Sequence, residues 1–237
     1  SSDEAIDDLF PEMLGHGPPA SGRSDADLPG DFDRQARPVP APGSGYIRAV
    51  DTEGLMRVAV EHDLLLRMPY RPGHFVSVGR AVALVWPGAR ADEAVAQAIA
   101  GMFILGDRRT LEQDVEFAVG QMVEVALRAL SPGINDPFTA LTCVDRLGAA
   151  LCRLGERSIP SRYRHDERGV LRVVTGEVSF GGVVDAAFDQ IRQAARTNVA
   201  VTLRLLEVIE VVLQGAQRED DREALLRQAT MIWRRAG

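Results

Sequence analysis

The sequence predicts a mainly helical α+β protein, in which a small β barrel or sandwich packs on a helical bundle. Three compositional segments lead to this prediction. Residues 1–43 are rich in Pro, Gly, Asp and Ser, which is typical of a mobile arm. Residues 44–88 contain short β-branched runs and form the predicted β-rich subdomain. Residues 89–237 repeat apolar positions at intervals of three and four, which predicts a helical domain, with a short β segment near residues 170–180.

The composition restricts the classes of function. A chain of 237 residues, 46% of them hydrophobic, is long enough to bury a sizeable core. Its formal net charge of -7 argues against nucleic acid as a partner, because phosphate backbones bind clustered cationic surfaces. The 27 basic residues are all arginine, which excludes a lysine nucleophile, a Schiff base and a P-loop lysine. No cofactor is expected.

The two cysteines and the hydropathy of the chain bear on its compartment. Cys143 and Cys152 lie on opposite sides of one predicted helix, so they cannot form a disulfide with each other. Free thiols of this kind fit a reducing compartment. No apolar run approaches the length of about 20 residues that a membrane-spanning helix requires, and no signal peptide pattern is visible.

The β-rich subdomain is predicted from four short apolar runs, at residues 46–50, 64–68, 75–78 and 81–85. A short helix is predicted between the first two runs, because Asp51 supplies a cap and residues 51–60 have helical spacing. Residues 71–79 resemble the hairpin of biotinyl and lipoyl carrier domains, in which glycines turn the chain on either side of a short strand. Carriers attach their cofactor to a lysine, so the resemblance implies only their fold.

Cap residues and apolar spacing predict five helices in the helical domain. Asp92 caps the first, whose apolar positions continue to Phe103. Thr110 and Gln113 form a capping box for the second, which ends at the turn of residues 131–137. A third helix follows this turn. A fourth, unusually long helix is predicted over residues 183–213, and a last helix has an acidic start at Glu219.

The turn at residues 131–137 joins two amphipathic helices and allows two interpretations. In one, polar residues of both helices converge on a pocket, where the free N–H groups of the second helix favour an anion. In the other, Asp136 caps the helix, Asn135 satisfies loop carbonyls, and Arg128 pairs with Asp114 or with helix-end carbonyls. The predicted binding residues are Arg109, Asp114, Arg128, Ser131, Asn135, Asp136 and Thr139.

Two further patterns concern metal binding and self-association. His62, Asp63 and His74 offer nitrogen and oxygen ligands, but without a recognisable ligand spacing an exposed loop or strand-edge role is favoured. The long predicted helix has a heptad pattern with a polar residue at one a position, which fits a contact between subunits. Its wide apolar arc equally fits an ordinary central helix. The predicted contact residues are Val184, Ile191, Asn198, Leu205 and Val212.

Four segments together resemble a bacterial family of predicted membrane proteins known as domain of unknown function 2254. The resemblance covers about residues 44–215. It implies that membrane helices absent from this chain belong to the parent protein, that the parent lies in the bacterial inner membrane, and that this region is cytoplasmic. The segments are Ser44-Gly45-Tyr46-Ile47, Pro72-Gly73-His74-Phe75-Val76, Arg109-Thr110 with Gln113-Asp114, and residues 128–137 with Thr139-Ala140.

These observations favour three functions. The first is a regulatory, ligand-sensing or assembly domain of an integral membrane protein, which forms a homo-oligomer and is not an enzyme. The second is a transport or channel accessory domain, which forms a vestibule whose acidic surface concentrates cations. The third is an enzyme that acts on a small anionic substrate at residues 131–137.

Overall fold

A computed structural model of the chain describes residues 28–110, 115–156, 161–176 and 178–236. Residues 1–27 of the predicted arm lie outside the described residues, and so does Gln113 of the predicted capping box. The chain divides into two compact units. The β-rich unit takes its described residues from 17–114 and 160–177, and the helical unit takes its described residues from 115–159 and 178–237. The β-rich unit therefore extends beyond residues 44–88, which are the boundaries that composition indicates, and a later segment, residues 161–176, completes it.

The strands lie in the β-rich unit and form two sheets. They are β1 (Arg37–Pro40), β2 (Gly45–Val50), β3 (Leu65–Arg67), β4 (Phe75–Val76), β5 (Ala81–Trp86), β6 (Phe103–Gly106), β7 (Tyr163–His165) and β8 (Leu171–Val174). The larger sheet has the order β1-β5-β3-β8-β7, and the smaller one has the order β4-β2-β6. Strands β3 and β8 pair in parallel, with Leu66 beside Val173, and the other described pairs are antiparallel.

Eight helices occur in the described residues. Three belong to the β-rich unit: α1 (Phe32–Gln35), α2 (Thr52–Glu61) and α3 (Glu93–Gly101). Five belong to the helical unit: α4 (Val115–Ala129), α5 (Pro137–Glu156), α6 (Phe180–Ala194), α7 (Val199–Gly215) and α8 (Glu219–Ala236). The described residues are mainly helical, and their sheets of five and three strands do not close into a barrel. The prediction of a mainly helical α+β fold is confirmed.

Local signals account for two helices and the shortest strand of the β-rich unit. The carboxylate of Asp51 accepts a hydrogen bond from the N–H of Gly54 at 2.8 Å, and Asp92 caps α3 in the same way. The short strand β4 lies between Gly73 and Gly79, whose φ angles of 90° and 79° confirm that glycines turn the chain on either side.

Two predicted boundaries in the β-rich unit are wrong. Residues 37–40 were assigned to the mobile arm but form β1, where Val39 is fully buried against the sheet. The helix predicted to continue to Phe103 ends at Gly101, and Phe103 begins β6 beside Val50. In both cases pairing with a distant strand overrides the local pattern.

The helix predicted over residues 183–213 is two helices, so this prediction is wrong. Helix α6 ends at Ala194, and a 3-10 turn at Ala195–Thr197 separates it from α7. The side chain of Asn198 caps α7, because its Oδ1 accepts a hydrogen bond from the N–H of Val201 at 3.1 Å. Asparagine favours N-caps over helix interiors, which explains the break in the heptad pattern.

The five helices of the helical unit pack in a ring. Helix α4 packs on α5 and α6, α5 packs on α7, and α8 closes the ring between α6 and α7. At the contact of α5 with α7, a Cβ added to Gly148 would come within 2.3 Å of Cγ1 of Val208, so these helices approach closely at a glycine. Within the described ranges, no helix combines the length and apolar character needed to cross a membrane.

Replacing Gly148 with alanine is expected to destabilise the helical unit. The added Cβ would overpack the contact with Val208, which costs about 1–3 kcal/mol, whereas alanine gains at most about 1 kcal/mol of helix propensity. Urea unfolding followed by circular dichroism measures the difference. The matched control is Gly120→Ala on α4, where a Cβ meets nothing within 4 Å and a gain of about 0.5–1 kcal/mol is expected. Stabilisation by Gly148→Ala equal to that of the control would contradict the close approach.

Candidate functional site

The turn at residues 131–137 is closed by its own backbone. The N–H of Asp136 donates to the carbonyl of Ala129 at 2.8 Å, and the N–H groups of Ile134 and Asn135 both donate to the carbonyl of Ser131. Asn135 has a φ of 48°, in the left-handed region that asparagine adopts more readily than most residues. The turn residues therefore satisfy one another.

Asp136 is the N-cap of α5. Its Oδ1 accepts hydrogen bonds from the N–H groups of Phe138 and Thr139 at 3.1 Å and 3.2 Å, and its Oδ2 accepts one from the Thr139 hydroxyl at 2.5 Å. The bond from the Thr139 hydroxyl, followed by the backbone bonds, lowers the pKa of Asp136 below its usual value. The carboxylate is thus held ionised at the positive end of the helix dipole.

The other predicted binding residues of the turn have local partners or belong elsewhere. The hydroxyl of Ser131 donates to the carbonyl of Arg128 at 2.7 Å, and the guanidinium of Arg128 pairs with Glu124 at 2.9 Å. Arg109 belongs to the β-rich unit, and Asp114 lies outside the described residues. Convergence of all seven residues on one pocket stays a prediction.

A pocket of about 390 Å³ lies in the β-rich unit, where residues next to and within the parallel strands β3 and β8 line it. Its volume is within the range of small-molecule sites. The charged lining residues are Asp63, Arg90 and Arg172. The indole Nε1 of Trp86 is buried and has no hydrogen-bond partner in the part of the chain that the structure describes. The remaining wall is apolar: Pro29, Leu64, Leu65, Pro87, Val170 and Leu171.

Asp63 follows α2 in a backbone conformation that usually takes glycine. Its φ is 49°, the N–H of Leu64 donates to the carbonyl of Ala59 at 2.8 Å, and its own N–H donates to the carbonyl of Val60 at 3.3 Å. These are the two hydrogen bonds of a Schellman motif, in which glycine is the usual residue at this position. Aspartate is among the few residues besides glycine that adopt this left-handed conformation with modest strain.

Two arginines bind the Asp63 carboxylate. Arg172 donates through Nη1 to Oδ1 at 2.7 Å, and Arg90 donates through Nη1 to Oδ2. The side chain of Arg172 is only 11% exposed, and its Nε donates to Asp166 at 2.9 Å. We call these four residues the arginine–aspartate cluster. It contains two cations and two anions.

Each member of the arginine–aspartate cluster stabilises the charge of its neighbours. The hydrogen bond from Arg172, followed by that from Arg90, lowers the pKa of Asp63, and the bond from Arg172 lowers the pKa of Asp166. Burial would lower the pKa of Arg172, but its bonds to the two carboxylates outweigh this effect and raise it. Asp63, Asp166 and Arg172 are therefore charged at neutral pH, and the cluster offers both signs of charge to a solute.

The predicted metal candidates do not come together as a ligand set. His62 lies at the C-terminal end of α2, the Asp63 carboxylate binds arginines, and the His74 ring lies 6.1 Å from that of Tyr70. Across the described ranges, no group of three or more His, Cys, Asp or Glu residues could hold a metal ion.

The residues predicted for a subunit contact lie inside the helical unit. Val184 and Ile191 are fully buried, Leu205 is 1% exposed and Val212 is 2% exposed, while Asn198 caps α7. The four apolar side chains belong to the hydrophobic core of the unit. Self-association of the chain stays a prediction.

Sequence patterns do not identify Arg90, Asp166 and Arg172 as site residues. Asp63 and Arg172 are 109 positions apart and meet because β3 and β8 pair in parallel. One local signal was available, since Asp63 follows a helix at the position where glycine is usual.

The Asp136 cap is expected to give the helical unit a defined pH dependence. Asp136→Ala should lower the midpoint of thermal unfolding at pH 7, because two N–H groups of α5 lose their acceptor. The folded pKa is depressed, so this contribution is present above the usual carboxyl pKa of about 3.9 and is lost as the pH falls below it. Thermal unfolding from pH 7 to pH 3 checks this. A difference between variant and wild type that grows on acidification would contradict it.

Asp63→Gly is expected to lower the midpoint of thermal unfolding, although glycine suits the left-handed backbone. Arg172, which is nearly buried, would keep only one of its two carboxylate partners. Asp63→Asn, which tolerates the same φ and keeps a hydrogen-bond acceptor, should fall between wild type and Asp63→Gly. If Asp63→Gly were more stable than wild type, backbone strain would outweigh the carboxylate.

A family model described as predicted membrane protein (DUF2254) matches residues 3–211 of the chain. Uncharacterized proteins of Mycobacterium bovis and Mycobacterium tuberculosis are each 30% identical to it over 236 residues, which is 98% of the chain. The chain spans 44% of the length of these relatives. No solved structure matches the chain significantly. The resemblance drawn from the four sequence segments is confirmed, and the chain belongs to the family of predicted membrane proteins known as domain of unknown function 2254.

Proposed function

We propose that the chain is a regulatory, ligand-sensing part of a membrane protein, and that the pocket of the β-rich unit holds the ligand. The observation that carries this proposal is the arginine–aspartate cluster, three members of which line a pocket of about 390 Å³. An apolar wall with a few convergent charged groups is typical of sites that bind small solutes. The charged groups bind one another, so they are better placed to hold a solute than to transfer a proton. This favours the sensing function over the enzyme hypothesis.

The connectivity of the chain supports a regulatory role. Arg172 lies on β8, which ends at Val174, and α6 of the helical unit begins at Phe180. A ligand bound to Asp63 would therefore act, through the contact of that carboxylate with Arg172, on a strand that leads within a few residues into a helix of the other unit. A ligand that binds one arrangement of this connection more tightly than another would shift the population toward that arrangement. The helical unit would thereby respond to the ligand.

The family supports a larger membrane protein as the parent of this chain, and the cysteines support a cytoplasmic position. The chain spans 44% of its relatives, so the proposal places the membrane part in the remaining length. Cys143 is buried and Cys152 half-buried, both are unpaired, and burial raises the pKa of both thiols. Unpaired, unreactive thiols fit a reducing compartment.

Fluorescence of Trp86 tests whether the pocket binds a solute. The chain has two tryptophans, so Trp233→Phe leaves Trp86 on the pocket wall as the single reporter. This variant is titrated with pools of amino acids, organic acids, sugars and nucleotides. At least one pool should change the emission, and a ligand at 100 times its Kd should stabilise the protein by about 2.7 kcal/mol.

A matched pair of variants shows whether the response comes from the pocket. Val170→Phe places a larger side chain at the pocket wall and should abolish the response. Val78→Phe makes the same change at an exposed position outside the pocket and should leave it unchanged. Hydrogen exchange of α6 should slow when the ligand binds. Binding without any change in the helical unit would refute a sensing role, and no response to any pool would refute the site.

A further inference from the structure

The charges around the pocket are balanced, which restricts the ligand. The arginine–aspartate cluster pairs two guanidinium groups with two carboxylates, so its net charge is zero. A dianion such as phosphate would meet the Asp63 carboxylate, and a simple cation would meet Arg90 and Arg172. A ligand that carries one positive and one negative group can place each of them on a cluster residue of opposite charge, so neither group is repelled.

The two most accessible members of the cluster have opposite charge and lie side by side. The side chain of Asp63 is 65% exposed and that of Arg90 is 52% exposed, whereas Arg172 is 11% exposed. Each Asp63 oxygen accepts one bond from an arginine, and an ionised carboxylate has about four acceptor sites. Arg90 binds Asp63 through Nη1, and guanidinium has five N–H donors. Both groups therefore retain capacity for a ligand.

Apolar side chains supply about half of the exposed lining of the pocket. Leu65, Trp86, Pro87 and Leu171 line the pocket together with the cluster. An aromatic or branched aliphatic group attached to the charged centre would use this wall.

We propose that the pocket binds an apolar α-amino acid as its zwitterion, with the ligand carboxylate on Arg90, the ammonium on Asp63, and the side chain against Trp86 and Leu171. This proposal rests on the sensing function proposed above. It assigns a ligand class to the site, and it gives each charged group a separate task. Arg172 holds Asp63 in position from the buried side.

Three probes with the same aromatic body separate the roles of the two charges. They are L-phenylalanine, 3-phenylpropanoate, which lacks the ammonium, and 2-phenylethylamine, which lacks the carboxylate. Titration of the Trp233→Phe variant at pH 7 should give a Kd for L-phenylalanine about tenfold below that of either analogue, because each analogue loses one charge-assisted hydrogen bond. Equal or tighter binding of 3-phenylpropanoate would overturn the zwitterion in favour of a simple organic anion.

Two variants should shift the probes in opposite ways, which a purely structural role would not do. Arg90→Gln should weaken L-phenylalanine and 3-phenylpropanoate about tenfold and leave 2-phenylethylamine as it was or tighter. Asp63→Asn should weaken L-phenylalanine and 2-phenylethylamine to a similar extent and spare 3-phenylpropanoate. The control is Arg57→Gln, which removes an exposed guanidinium of the same unit outside the pocket lining and should change no Kd. Thermal unfolding of each variant without ligand confirms that it is folded.

The outcomes distinguish the ligand class from the sensing function. Suppose that a solute pool binds, that Val170→Phe abolishes this binding, and that L-phenylalanine does not bind. The amino-acid proposal then fails and the sensing function stands. If neither the pools nor the probes bind, both fail. Loss of all three probes to the same degree in Arg90→Gln and Asp63→Asn would also overturn the separate roles of the two residues.

Discussion

The parallel pairing of β3 with β8 is the contact on which the β-rich unit depends. It places Leu66 beside Val173, and both side chains are buried in the same core. Parallel strands cannot be joined by a tight turn. Here the chain between them contains α4 and α5 of the helical unit. Strands β3 and β8 therefore come from parts of the sequence that the helical unit separates. Loop closure over this distance is a cost that the buried strands must offset.

The same pairing creates the arginine–aspartate cluster. Asp63 comes just before β3 and Arg172 lies within β8, so the strand register brings a carboxylate and a guanidinium to one place. Exposed pairs such as Arg128 with Glu124 contribute little, because water and salt screen them. The contact between Arg172 and Asp166 is different, since both side chains are nearly buried and loss of either would leave a charge without its partner. The pairing of β3 with β8 therefore forms both the larger sheet and the charged part of the pocket.

The separation of interacting residues along the chain decides which features the sequence alone predicts. Asp51 and Asp92 act within three residues, and both caps were predicted. The family motifs and the mainly helical α+β fold were also predicted. The return of residues 160–177 to the β-rich unit and the cluster around Arg172 were missed, because partners more than 100 positions apart leave no local pattern. The break at Asn198 was missed for the opposite reason, since a strong apolar periodicity concealed a cap.

Backbone strain separates the two candidate sites. Asn135 and Asp63 both have φ near 48°, so each bears the cost of a left-handed residue with a side chain. At the turn of residues 131–137 that conformation directs the next N–H, which is that of Asp136, to the carbonyl of Ala129, and this bond offsets the cost without any ligand. At the pocket, glycine would complete the same helix end, and aspartate adds only a carboxylate held by two arginines. At Asp63 the cost is offset by a carboxylate that holds Arg172 and is also 65% exposed at the pocket, where a solute can reach it. At Asn135 the offset comes from backbone hydrogen bonds alone, and this difference favours the pocket as the binding site.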